Sequence, residues 1–140
     1  NVGGVDVAVF AMILPMFIGS ALGSYLFLAQ HSFKRMHIIS EEAWNFYRAA
    51  LESSSYMQLN KILQWFTGNI GFHHIHHLSP RIPNYNLQDC HDQNPILQRV
   101  TQLTLWSSFK TVPLVLWDEE RRRLVTFREA LEMGQGAAPA

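Results

Sequence analysis

Val5-Asp6-Val7-Ala8-Val9-Phe10-Ala11-Met12-Ile13-Leu14-Pro15-Met16-Phe17-Ile18-Gly19-Ser20-Ala21-Leu22-Gly23-Ser24-Tyr25-Leu26-Phe27-Leu28-Ala29 is the stretch that decides the fold. Asp6, near its start, is its only charge. About 25 residues make a helix of roughly 37 Å, enough to cross a hydrocarbon core of about 30 Å with some tilt. A signal peptide fits less well. The apolar part is too long, lacks a basic segment before it and has no clear small-residue cleavage site. A buried helix of a soluble protein is the other reading, and length with near-absence of charge favours the span. Pro15 is expected to kink the helix. Gly19 and Gly23 form a Gly-x-x-x-Gly pair that lets another helix approach closely.

Charge sets the orientation. No Lys or Arg precedes Lys34, whereas Lys34 and Arg35 come just after the span. The positive-inside rule therefore places everything from His31 onward in the cytoplasm. The 140 residues make one domain or a piece of one. They begin at Asn1 and lead at once into apolar sequence, which suggests an N-terminally incomplete chain. Eleven basic and eleven acidic residues give zero net charge, so nothing points to nucleic acid as partner. Cys90 is the single cysteine. It excludes an internal disulfide and any Cys-x-x-Cys zinc or iron–sulfur site, and it fits a reducing compartment.

Ser40 is placed to cap a helix from Glu41 to about Ser53, with Glu41 and Glu42 in its first turn. Trp44, Phe46 and Tyr47 suit either a membrane interface or ordinary packing. Tyr56 to Phe66 predicts a second helix, apolar at Leu59, Ile62, Leu63 and Phe66. Thr67-Gly68-Asn69 interrupts it, and Asn69 or Thr67 is placed to cap a short helix that ends at Ser79-Pro80. Arg81 to Pro95 reads as loop, and Ile96 to about Lys110 as a third helix. Leu114 to Trp117, the charged run Asp118 to Arg122 and Leu124 to Phe127 predict a short hairpin with a solvated turn. Thr126 caps a last helix through Met133, and 134–140 reads as a disordered tail. The fold class is all-α integral membrane. One transmembrane helix, about 5–29, precedes a mostly helical cytoplasmic cap, 30–133, with a short hairpin near 114–127.

The cap carries His73-His74-Ile75-His76-His77, four of the chain's seven histidines. On a helix each residue advances about 100°, so with His73 at zero His76 falls near −60° and His77 near +40°. These three share an arc of about 100°, as converging ligands require, and His74 lies at its edge, near +100°. Buried imidazoles each need hydrogen-bond partners, so four histidines in an apolar context have little structural purpose. Metal binding is the favoured reading. A closed structural zinc site would recruit cysteines or separated ligand pairs. The Glu of an His-Glu-x-x-His hydrolase is replaced by His74. A nitrogen-rich, cysteine-free site suits iron used for oxygen chemistry. Three or four histidines cannot complete two irons, so further ligands must come from elsewhere. His31, one residue beyond the apolar helix and its glutamine, is the next candidate. His37 and His91 are expected to be solvated or loop-bonded.

Gln64-Trp65-Phe66-Thr67-Gly68-Asn69-Ile70-Gly71-Phe72, the histidine run and Leu78-Ser79-Pro80-Arg81-Ile82-Pro83-Asn84-Tyr85-Asn86-Leu87 resemble the third histidine box of the membrane fatty acid desaturases. They are most similar to the acyl-lipid type that includes the Δ12 (omega-6) enzymes. Gln30-His31-Ser32-Phe33 resembles that group's Gln-His-x-Phe segment, and Arg48 to Tyr56 resembles the stretch between. The resemblance covers most of residues 10–128. It implies a diiron enzyme that uses O2 and two electrons to remove two hydrogens from adjacent methylenes, leaving a cis double bond. No acid–base side chain takes part in that chemistry. It further implies His73, His76 and His77 as ligands, His31 as another, and His74 as beside the ligands or facing solvent. Asn69 is an uncertain neighbour of the site.

The chain departs from the family pattern in three ways. The two earlier boxes, His-x3–4-His and His-x-x-His-His, are absent from these residues. Lys34 stands where an acidic residue often follows Gln-His-x-Phe, which puts a carboxylate partner there in doubt. No His-Pro-Gly-Gly motif of a cytochrome b5 domain occurs. The expected donor is then a separate protein, ferredoxin or alternatively cytochrome b5, with a membrane lipid or other acyl substrate. On this reading the 140 residues are inactive alone. A related membrane diiron hydroxylase and a non-catalytic membrane remnant are the alternatives.

Overall fold

A computed structural model gives the structure of the protein and describes residues 3–136. α1 (Val5–His31) is one apolar helix of 27 residues, long and apolar enough to cross a membrane. Its turns widen to a π-helix over Val9–Ile13, just ahead of Pro15. Proline offers no N–H to the carbonyl four residues back, and its ring crowds that carbonyl. A wide turn absorbs the misfit without ending the helix, and this is what stands where a kink was expected. Gly19 and Gly23 face open space, so their close-approach surface has no occupant among the described residues.

Beyond α1 the elements are short, and several expectations need correction. The helix expected over Glu41 to Ser53 is split into a 3-10 turn at Glu41–Ala43 and α2 (Phe46–Glu52). Ser40 makes no side-chain cap; the Asn45 side chain accepts from the Tyr47 and Arg48 N–H groups instead. An asparagine cap inside a helical pattern restarts the helix at its own position.

The helix expected over Tyr56 to Phe66 is β1 (Tyr56–Gln58) followed by α3 (Lys61–Phe66). Met57 is buried between half-buried Tyr56 and exposed Gln58, the period-2 pattern of a strand. The Asn60 side chain accepts from Leu63 N–H at 2.9 Å. Asn60→Ala is expected to cost about 1 kcal/mol, read as a lower denaturation midpoint of the intact protein. An unchanged midpoint would show that the cap contributes nothing.

Gly68 (φ 62°) and Asn69 (φ 59°) are both left-handed after α3. Their N–H groups bond to Trp65 and Gln64 carbonyls at 3.1 and 2.7 Å. This is a Schellman ending, in which the left-handed residue needs no Cβ. Asn69 therefore closes α3; its side chain caps nothing and donates to the Asn84 carbonyl. A 3-10 turn at Ile70–Phe72 leads into α4 (His73–Leu78), the histidine helix. Ser79, extended before Pro80, ends it as expected.

The loop expected over Arg81 to Pro95 contains α5 (Leu87–Gln93), with Leu87 and His91 buried one turn apart. The third helix expected over Ile96 to Lys110 is instead β2 (Gln102–Thr104) and α6 (Leu105–Ser108), the latter opened by a Thr104–Ser107 capping box. β1 and β2 pair in parallel, Met57 opposite Leu103. The predicted hairpin forms: β3 (Leu116–Asp118) pairs antiparallel with β4 (Arg123–Val125), Trp117 opposite Leu124. α7 (Phe127–Gly136) follows, with reciprocal Thr126–Glu129 bonds at its start. It runs beyond Met133 into the expected tail, and 137–140 lie outside the described residues. The fold is thus mostly helical with two small sheets rather than all-α.

The core lies under α4. Phe72, Ile75, Leu87 and Leu97 form a buried cluster with Leu51, Tyr56 and Leu78 against it. α2 and α4 pack face to face. The end of α1 is tied to the segment after α2, since Ser55 donates both N–H and hydroxyl to the Gln30 carbonyl. That tie positions the candidate site.

Candidate metal centre

His31 is the last residue of α1, His73 the first of α4, and His77 one turn further on the same face. Their Nε2 atoms converge: His31–His73 2.9 Å, His73–His77 3.1 Å, His31–His77 3.2 Å. The three rings stand nearly perpendicular in pairs, at 75°, 84° and 89°. His31 Nδ1 lies 3.0 Å from the Ser53 carbonyl. A carbonyl only accepts, so the proton sits on Nδ1 and the Nε2 lone pair is free.

Protonation is disfavoured at His73 and His77. Burial, then the charges of His77, His31 and the remaining box histidines, push His73 down to about 3. Burial, then His31 and His76, lowers His77. Neutral imidazoles are the form that ligates a metal.

These residues fit a metal ion. Two nitrogens each about 2.1 Å from one ion, at right angles, lie about 3 Å apart. The three observed separations meet that condition together, with no acidic group among the three. Such an all-nitrogen set suits iron, copper or zinc.

The remaining candidates are placed differently. His76 is exposed on the other flank of α4, its ring 5.9 Å from that of His73 and outside the converging set. His31 approaches from the His77 side of α4, so the Nε2 atoms that meet are those of His31, His73 and His77. His74 does not face solvent: it is 0% exposed, beneath α4. Neither of its ring nitrogens makes a well-formed hydrogen bond; burial, then His91, lowers its pKa to about 4 against a weaker raising contact with the Leu97 backbone. His91 is buried too, its ring 4.6 Å from Tyr56 and 5.5 Å from His74, so the expectation of a solvated or loop-bonded residue is overturned. His37 is exposed, as expected. Asn69 stays in the turn ahead of α4, bonded to Asn84.

Because His74 is buried without a well-formed hydrogen bond, His74→Leu is expected to leave stability unchanged or raised by up to about 1 kcal/mol. Metal content should not fall. Loss of metal in a folded His74→Leu protein would make His74 a ligand after all.

Sequence reasoning missed Ser53, whose backbone carbonyl orients His31. Every residue offers such a carbonyl, so no signal marked it. It also missed the apolar cleft of about 280 Å³ that opens on His31 and His77, lined by Trp44, Phe46, Ala49 and Ala50.

Residues 2–106 match the family profile described as fatty acid desaturase. A Bacillus subtilis (strain 168) protein named fatty acid desaturase is 44% identical over 115 residues, covering 81% of this chain and 33% of that protein. The chain therefore spans about a third of that relative's length. A profile match over most of the chain, and an identity of this size over 81% of it, place it in one family: the chain belongs to the fatty acid desaturases.

Proposed function

We propose that these residues are the part of an acyl-lipid fatty acid desaturase, of the Δ12-like type, that carries its third histidine box. The observation that carries this reading is the convergence of the His31, His73 and His77 Nε2 atoms within 3.2 Å of one another. These three residues hold one iron of a diiron centre. His76, on the open flank of α4, is a ligand to the second, whose other ligands lie outside these 140 residues. His74 and Asn69 hold no metal.

When bound, the iron pair would supply the O2-dependent removal of two hydrogens from adjacent acyl methylenes, which with two electrons and two protons from outside gives a cis double bond and two waters. The chain's residues bind and orient. The Ser53 carbonyl fixes the His31 tautomer, as partners behind a ligating histidine do. The apolar wall of Trp44, Phe46, Ala49 and Ala50 gives a methylene chain a water-poor surface beside His31 and His77.

α1 spans the membrane with the histidines on its cytoplasmic side, a reading that Lys34 and Arg35 just beyond it support. A separate ferredoxin, or cytochrome b5, delivers the electrons. The complete protein, expressed in a host lacking polyunsaturated lipids, is expected to add a double bond to membrane-lipid acyl chains. A hydroxylated product without a new double bond would make it a hydroxylase. No product, with iron and donor supplied, would make it a non-catalytic remnant.

A further inference from the structure

We propose that the cleft between the end of α1 and α6 binds the phosphate of an anionic phospholipid headgroup. Lys34, Arg35 and Lys110 all line this cleft of about 330 Å³. Residues 75 positions apart in the chain thus bring three cations to one concavity. No carboxylate lines it. Among the described residues, none of the three cations forms an ion pair. The Lys34 charge reaches Glu129 and helps to lower its pKa, but the Thr126 N–H holds that carboxylate at 2.9 Å.

Thr101 and Thr111 also line the cleft, the Thr111 hydroxyl donating to the Ser108 carbonyl at 2.8 Å. Leu103 and Leu114 line the cleft too and are buried. Charges at the rim of an apolar base act through a lower effective dielectric than charges on an open surface. Three unpaired cations there carry a standing electrostatic cost that a phosphodiester removes.

Position selects the lipid as source. Lys34 and Arg35 follow the end of α1 by three and four residues, which is headgroup depth if α1 spans the bilayer. Juxtamembrane cations elsewhere attract an anionic leaflet diffusely. A cleft holding three of them takes one headgroup stoichiometrically. The inference rests on the membrane placement of α1 and is independent of the reaction.

The test uses the intact protein in uncharged detergent, with phosphatidylglycerol and phosphatidylcholine offered together and bound lipid counted by native mass spectrometry. Wild type is expected to keep one phosphatidylglycerol in preference to phosphatidylcholine. The triple variant Lys34→Gln, Arg35→Gln, Lys110→Gln should lose affinity by roughly 100-fold. The charge-preserving pair Lys34→Arg, Lys110→Arg should keep it, which separates lost charge from misfolding.

An equal loss in Lys61→Gln, Arg81→Gln, two exposed cations that do not line the cleft, would show diffuse attraction and overturn the site. Complete displacement by millimolar inorganic phosphate would overturn the lipid as source. Wild type in the membrane fraction but without phosphatidylglycerol preference overturns the cleft alone. Wild type in the soluble fraction overturns both the span and the cleft.

Discussion

On the proposed reading of the site, His31→Gln is expected to strip iron and desaturase activity from the intact protein, while His37→Gln leaves both within about twofold. The two residues sit six positions apart, His31 closing α1 and His37 following it. Geometry separates them. His31 places its Nε2 2.9 Å from His73 and 3.2 Å from His77. His37 is exposed and joins the fold through its backbone, the carbonyl accepting from the Ser53 hydroxyl.

Glutamine is close to histidine in size and keeps a polar end on α1, so the fold should persist. It cannot present a ring nitrogen to the converging point. Loss of a partner behind a ligand costs about 10–100-fold in metal affinity or activity, so loss of the ligand itself should cost more than about 100-fold. Iron per chain and acyl product analysis read the result, with membrane insertion as the control for folding. Full iron and full product in His31→Gln would remove α1 from the metal centre.

The largest effect on stability is expected at Gly71, two residues before the first ligand. A Cβ there would lie 2.5 Å from the Met57 carbonyl oxygen and 2.7 and 2.8 Å from the Gln64 amide atoms. Gln64 is a buried side chain, but the Met57 carbonyl is backbone in β1 and cannot retreat without straining its pairing with β2. Gly71→Ala therefore overpacks a site with no free direction, at a cost of roughly 3 kcal/mol. The thermal midpoint should fall on the order of 10 °C.

Gly134→Ala is the control, since no atom lies within 4 Å of its added Cβ and alanine is the better helix former. Gln64→Ala on the Gly71→Ala background should recover only part of the loss, because the Met57 contact remains. An unchanged midpoint in Gly71→Ala would mean that the turn before α4 is looser than drawn. Because the turn aims His73, metal affinity should fall along with stability.

Much of the site was legible in local sequence. A run of apolar residues with a single early charge specifies a long apolar helix, whatever surrounds it. The spacing of His73 and His77 puts them on one face of any helix that forms there. Opposed apolar runs around a charged turn specify the β3–β4 hairpin, and Thr126 with Glu129 specifies the start of α7. Each of these rests on periodicity or capping within a few residues.

The errors share one cause. Tyr56 to Phe66 and Ile96 to Lys110 carry apolar spacing compatible with helix, yet Tyr56 to Gln58 and Gln102 to Thr104 are strands because they pair with each other. A three-residue strand is too short to show its period, and its partner lies 46 positions away. Asn45 and Asn60 compete for their segments as caps, and the outcome depends on which turn the rest of the fold can use. His74 and His91 are polar, and only the packing of α5 under α4 takes them out of water.

By itself, then, the sequence determined an apolar helix, a one-sided histidine set and membership of a resemblance class, because those properties are periodic and local. Tertiary structure alone decided which nitrogens meet. His31 and His73 are 42 residues apart, and they converge because Ser53 and Ser55 tie the end of α1 to the segment packed on α4. That approach selects His77 over His76. Convergence of side chains from distant segments is a property of packing, and no local pattern of residues encodes it.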